Sequence, residues 1–174
     1  ICDYLETETL MLTGTSWGSA LAVQIYQANP ELFSAYVGLS QMVDFQANLA
    51  ASYNGAITVA EERQDDVVLT KLRAMGPPPW TNPRHPGQLR RIVRLYESET
   101  TTTLGELEWA EDYTTEEARA GYYAGEEFSW VKFVGLKGDG FANDLNLLES
   151  GYRFTCPVVL IQGKGDLFST ADVS

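Results

Sequence analysis

The chain has 174 residues, 24 of them acidic against 12 basic, and a formal net charge of −12. That excess excludes a nucleic-acid backbone as partner, since phosphates call for a basic face, and no apolar run approaches the length that spans a membrane. With 44% hydrophobic and 21% charged residues the composition is ordinary globular material, and the acidity is read as serving solubility.

In chain order, Ile1-Cys2-Asp3-Tyr4-Leu5 reads as the tail of a helix rather than a natural start. Residues 9–13 form a short apolar run that predicts a buried strand. Gly14-Thr15-Ser16-Trp17-Gly18 then fits the pattern G-x-S-x-G, and residues 19–29 carry Ala20, Leu21, Ile25 and Ala28 at helical spacing up to a stop at Pro30. A serine in that setting sits on a tight strand-to-helix turn with its hydroxyl lifted above the end of the sheet. The glycines on either side are read as letting strand and helix nearly touch. The backbone N–H of Trp17, at the helix start, is expected to face an oxyanion formed on an attacked carbonyl.

Residues 34–40 predict a second strand. From Asp44 to about Tyr152 the texture changes to amphipathic helices and proline-marked breaks. Thr58-Val59-Ala60-Glu61 reads as a capping box opening a helix to Met75, with Gly76 and Pro77 as its stop. Leu89, Ile92, Val93 and Tyr96 mark another helix, with Arg90, Arg91 and Arg94 on its wet side. Thr114-Thr115-Glu116-Glu117 is a second capping box. Gly135 to Gly140 is read as a flexible turn, because it lacks the ending of a phosphate loop. The acids of this stretch are read as a solvated face from which one or two, such as Glu126 and Glu127, reach a pocket mouth. Trp80, Trp109, Trp130, Tyr122 and Tyr123 are candidates to line that pocket.

Residues 157–162 are a near-continuous apolar run of the kind buried on both faces of a parallel sheet. Gln162-Gly163-Lys164-Gly165-Asp166 follows it. A carboxylate just past a strand's C-terminal end, on the edge where Ser16 lies, is placed to orient a catalytic base. His85 is the one histidine of the chain. Set among prolines and ahead of the acid, it is read as a surface loop residue. Cys2 and Cys156 are expected as buried free thiols. No Cys/His pair has metal-ligand spacing, so neither metal nor organic cofactor is expected.

The sequence resembles the α/β-hydrolase superfamily, in particular its proline iminopeptidase-like branch. The residues that carry the resemblance are Gly14 to Ser19, Ala28-Asn29-Pro30-Glu31-Leu32-Phe33, and Pro157-Val158 through Gln162-Gly163 to Asp166. The resemblance implies an α/β core of parallel strands with flanking helices, residues 1–43 and 153–174, and a helical cap or lid at 44–152. It makes Ser16 the nucleophile, Asp166 the acid and the Trp17 N–H one oxyanion donor. The branch tends to carry a Trp-x-x-Trp-Glu motif in the lid that holds a free amino terminus. Glu108-Trp109, and Glu126 and Glu127 near Trp130, partly resemble it, which makes Trp109, Glu126, Glu127 and Trp130 the candidate substrate contacts.

The family's early strands and second oxyanion donor are expected to precede Ile1, and its histidine to follow Ser174. The chain is therefore expected to be inactive alone and to aggregate. The reading is a serine hydrolase, an aminopeptidase acting on short peptides or other small molecules through an acyl-enzyme. The alternatives are a carboxylesterase of the same fold or a hydrolase-like binding module without a base. A cytoplasmic location is the default expectation.

Overall fold

Three short apolar segments pair in parallel, in the order β1 (Leu10–Thr15), β2 (Phe33–Leu39), β3 (Val158–Ile161). The structure, a computed structural model, describes residues 2–100 and 110–173. It is a mixed α/β fold with a small parallel sheet. A short helix α1 (Cys2–Leu5) precedes β1, and α2 (Trp17–Ala28) links β1 to β2. Among the described residues four α-helices lie between β2 and β3 in the chain: α3 (Phe45–Glu62), α4 (Asp66–Met75), α5 (His85–Thr100) and α6 (Glu116–Val134).

One face of the sheet carries α2. Gly14 and Gly38 are neighbours in register on that face, with Leu12 and Tyr36 one step back. A Cβ on Gly14 would stand 2.6 Å from the Ser19 Cα and 2.7 Å from the Gly18 carbonyl oxygen, so only glycine lets the helix pack this close. Gly18 differs from the sequence expectation. A Cβ there would meet open space, so the close approach rests on Gly14 alone. Tyr26 and Tyr36, each 1% exposed, sandwich Phe154, whose ring lies 4.5 Å from one and 5.0 Å from the other.

The capping box read at Thr58 is not a helix start. Helix α3 begins thirteen residues earlier, where the Asp44 side chain accepts the Ala47 N–H (2.8 Å), and its buried stripe Phe45, Leu49, Tyr53, Ala56, Ala60 runs straight through position 58. Thr58 merely donates to the Asn54 carbonyl one turn back. The real break comes at Asp65, which caps α4 by accepting from the Val68 N–H. The cap of α6 is Thr115, accepting from Ala118 N–H, one residue past the expected start of its box. Val68, Leu69 and Leu72 of α4, with Leu89, Ile92, Val93 and Tyr96 of α5, pack on the α3 stripe in one core continuous with the sheet.

Strand β3 is not buried on both faces. Its four residues are each 41–54% exposed, because it forms the sheet edge and α2 does not reach across it. Both cysteines are free and half-buried rather than buried. Among the described residues no helix is long and apolar enough to cross a membrane.

Candidate active site

Ser16 stands between the last residue of β1 and the first of α2, at φ 51° and ψ −126°. A side chain at positive φ costs on the order of 1–3 kcal/mol and persists only where its surroundings hold it. Here they do. The Ser16 N–H donates to the Leu39 carbonyl (2.9 Å) at the end of β2, and the Ser16 carbonyl accepts from both the N–H and the hydroxyl of Ser19. That hydroxyl in turn accepts from Met42 N–H (2.8 Å), so the loop after β2 braces the turn after β1. Gln41 is 5% exposed. It accepts from the Tyr36 hydroxyl and donates to the Met42 carbonyl. Burial pushes the Tyr36 phenol up to about 12, the bond to Gln41 opposing the rise.

The backbone of Trp17 begins α2, where N–H groups have no acceptor within the helix. Its indole packs 5.0 Å from the rings of both Phe133 and Phe141, while Phe133 also meets Phe45 and Trp130. These aromatics wall a cavity of about 850 Å³ onto which Ser16 opens. Glu126, Glu127 and Trp130 of α6 line the same cavity. Of the other pocket candidates, Tyr123 lines it. Trp80 instead joins the helical core, its Nε1–H donating to the Gly76 carbonyl (2.9 Å) and its ring edge-on to Tyr53. Trp109, Glu106 and Glu108 lie outside the described residues.

Asp166 lies past β3 on the same edge of the sheet. Its Oδ1 accepts from the N–H groups of Phe168 (3.1 Å) and Ser169 (2.7 Å), closing its own turn. Its Oδ2 accepts from the Ser40 hydroxyl (3.1 Å) and Gln162 Nε2 (3.2 Å). Ser40 is the counterpart of Ser16 one strand over: it ends β2, sits at φ 47°, and donates its N–H to the Ile161 carbonyl (2.9 Å). The turn is anchored from two helices. Asn48 of α3 donates to the Phe168 carbonyl (2.7 Å) and accepts from Thr170 N–H, and Glu97 of α5 accepts from Leu167 N–H (2.9 Å). The serine turn and the aspartate turn thus follow the two outer strands, β1 and β3, at one end of the sheet, with the end of β2 and Ser40 between them.

His85 is not on a free loop. It opens α5, hydrogen-bonds through Nε2 to Asn82 (3.1 Å) and stands edge-on to Trp80, with Nδ1 buried and unpartnered. Those partners hold it among the helices. Among the described residues no group of three or more His, Cys, Asp or Glu is placed to hold a metal ion.

Sequence reasoning missed Ser40, Gln41 and Asn48. The signal for Ser40 was available, since a serine directly past β2 mirrors the one past β1. Asn48 carries none, because its partners are 120 and 122 residues away.

No protein-family model matches the chain. It is 37% identical over 77 residues to a probable aminopeptidase, YbaC, of Bacillus subtilis (strain 168), a match that takes in 44% of this chain and 24% of that protein. Among solved structures it is similar to an epoxide hydrolase variant from Vigna radiata, at 17% identity and a TM-score of 0.38 over 98% of this chain and 57% of that one. It is also similar to a proline iminopeptidase-related protein from Thermus thermophilus, at 12% identity and a TM-score of 0.32, over 98% of this chain and 62% of that one.

Proposed function

We propose that the chain carries the reacting centre of a serine hydrolase of the α/β-hydrolase fold, an aminopeptidase of the proline iminopeptidase kind. The observation that carries this reading is Ser16 itself: a non-glycine residue held at φ 51° on a strand-to-helix turn, open to a cavity, with a carboxylate on the same sheet edge. Strain of that kind is maintained where a hydroxyl must be aimed. The 77-residue likeness to a probable aminopeptidase supports the choice of amide over ester substrates.

In this reading the Ser16 Oγ attacks the substrate carbonyl and loses its proton to an imidazole, and the Trp17 N–H receives the oxyanion. Collapse expels the amine, which takes that proton, and leaves an acyl ester on Ser16 that water hydrolyses. Glu126 and Glu127 hold the substrate's ammonium group, and Trp130 lines the acyl pocket. His85 is tied to Asn82 and Trp80, so the imidazole is assigned to a segment outside residues 1–174. It reaches Asp166 by taking the place of Ser40 or Gln162 at Oδ2, since both carboxylate oxygens already accept two bonds each. Residues 1–43 and 153–174 form the catalytic core and 44–152 its cap.

A second reading, a binding module that keeps the cavity without the chemistry, is favoured by that same saturation of Asp166. A fluorophosphonate probe separates the two. Labelling of the full-length protein that is lost in Ser16→Ala supports the hydrolase, and Asp166→Asn should then slow labelling about 10³-fold or more. A full-length protein that takes no label at Ser16 is the binding module.

A further inference from the structure

Arg90, Arg91 and Arg94 are exposed, as the sequence reading of a wet helix side has it, and all three line the cavity onto which Ser16 opens. Their spacing puts them on one arc of α5, while Leu89, Ile92, Val93 and Tyr96 bury the opposite arc. None of the three forms an ion pair among the described residues, where the pairs run from Arg63 to Glu99 and from Arg73 to Glu61. Arg90 lies 5.8 Å over the ring of Phe168, the residue whose N–H donates to Asp166. The arginine face therefore adjoins the aspartate turn, while Glu126 and Glu127 belong to a different helix of the same cavity.

The charge balance is unusual for this molecule. The whole chain carries twice as many acids as bases. The cavity wall reverses that, with Arg90, Arg91, Arg94 and Lys132 against Glu126 and Glu127. Like charges crowded on one arc repel one another, and an anion seated among them lowers the penalty. Guanidinium groups also match a carboxylate in geometry, offering paired N–H donors to its two oxygens.

We propose that the arginine face of α5 recognises a free carboxylate on the substrate, at the end away from the ammonium held by the glutamates. Resting on the reading of this cavity as the substrate site, it narrows the substrate class to short peptides with both termini free. A cavity of about 850 Å³ has room for a few residues of such a zwitterion.

The test compares a dipeptide with its C-terminal amide. Both are titrated into the full-length Ser16→Ala protein, followed by the fluorescence of Trp17 and Trp130, and cleavage of both is measured with the unsubstituted protein. The free acid should bind about tenfold more tightly than the amide at low salt, with the preference shrinking as salt rises. Arg91→Gln with Arg94→Gln should bring the ratio close to one, Arg91→Lys with Arg94→Lys should retain most of it, and Arg73→Gln should leave it unchanged. Equal binding of acid and amide, a ratio indifferent to the double glutamine variant, or no binding of either peptide overturns the proposal. Discrimination without fluorophosphonate labelling would instead sink the hydrolase reading and leave the anion site standing. Labelling without discrimination does the reverse.

Discussion

Over β1 and β2 the two faces of the sheet contrast sharply. On the α2 side, Gly14, Tyr36 and Gly38 are buried, the two glycines against atoms that leave no space for a methyl group. On the other side, Met11, Val159 and Ile161 are 64%, 52% and 54% exposed, and Val37 between them is half-buried. Parallel strands are normally covered on both faces. The sequence is apolar on both, so hydrophobicity alone does not reveal which face is packed. What distinguishes the α2 side is its small residues and its polar network, which together locate Ser16.

That contrast can be broken most forcefully at Gly14. Gly14→Ala drives a Cβ into the backbone of Ser19 and Gly18, which cannot yield as a side chain can, and should cost about 3 kcal/mol in urea denaturation. Because the displaced atoms brace Ser16, labelling at that serine should slow as well.

Gly38→Ala tests the same face with softer neighbours. The added methyl meets Gln41 Oε1 and Leu160 Cδ2, both side-chain atoms, and the expected loss is about 1–2 kcal/mol.

The buried phenol offers a pH test of similar size. The Tyr36 proton is held to about 12 in the folded chain against the ordinary 10, so its contribution is complete below pH 10 and fades as pH climbs toward 12. Stability should therefore fall by up to about 2 kcal/mol across that window, in the 1% exposed setting of Tyr36. Tyr36→Phe should abolish this alkaline loss while costing about 1 kcal/mol at neutral pH through the vacated bond to Gln41. A variant with the same alkaline profile as the parent would place the titration elsewhere.

The smallest effect belongs to the open face. Met11→Ser removes a side chain that is mostly in water already and should alter stability by no more than about 0.5 kcal/mol. A larger loss would mean that this face, like its opposite, is covered in the folded protein.

The strands and the turns at Ser16 and Asp166 were legible in the sequence because their signals are local. Apolar runs, the glycine-flanked serine and the strand-end aspartate are each read within a few residues. The helical region was harder. Thr58 offered a capping pattern that the longer stripe from Phe45 to Ala60 overrode, since burial of a whole face outweighs one cap. Strand β3 reads as a fully buried strand from its four aliphatic residues, but its edge position is a property of topology. The arginines of α5 have the periodicity of a solvated face and are exposed, and only the structure shows that they border the same hollow as α6.

The strand ends form a descending chain of supports. The amide of Ser16 hangs on the carbonyl of Leu39, and the amide of Ser40 hangs on the carbonyl of Ile161. Each link fastens a strained serine to the next strand outward, so the last fastening point is the slender, half-exposed β3. The most exposed of the three strands is thus the hinge-pin of the corner that holds Ser16. If it lets go, first Ser40 and then Ser16 can relax to an ordinary backbone, and amide exchange at the two serines should rise in that order.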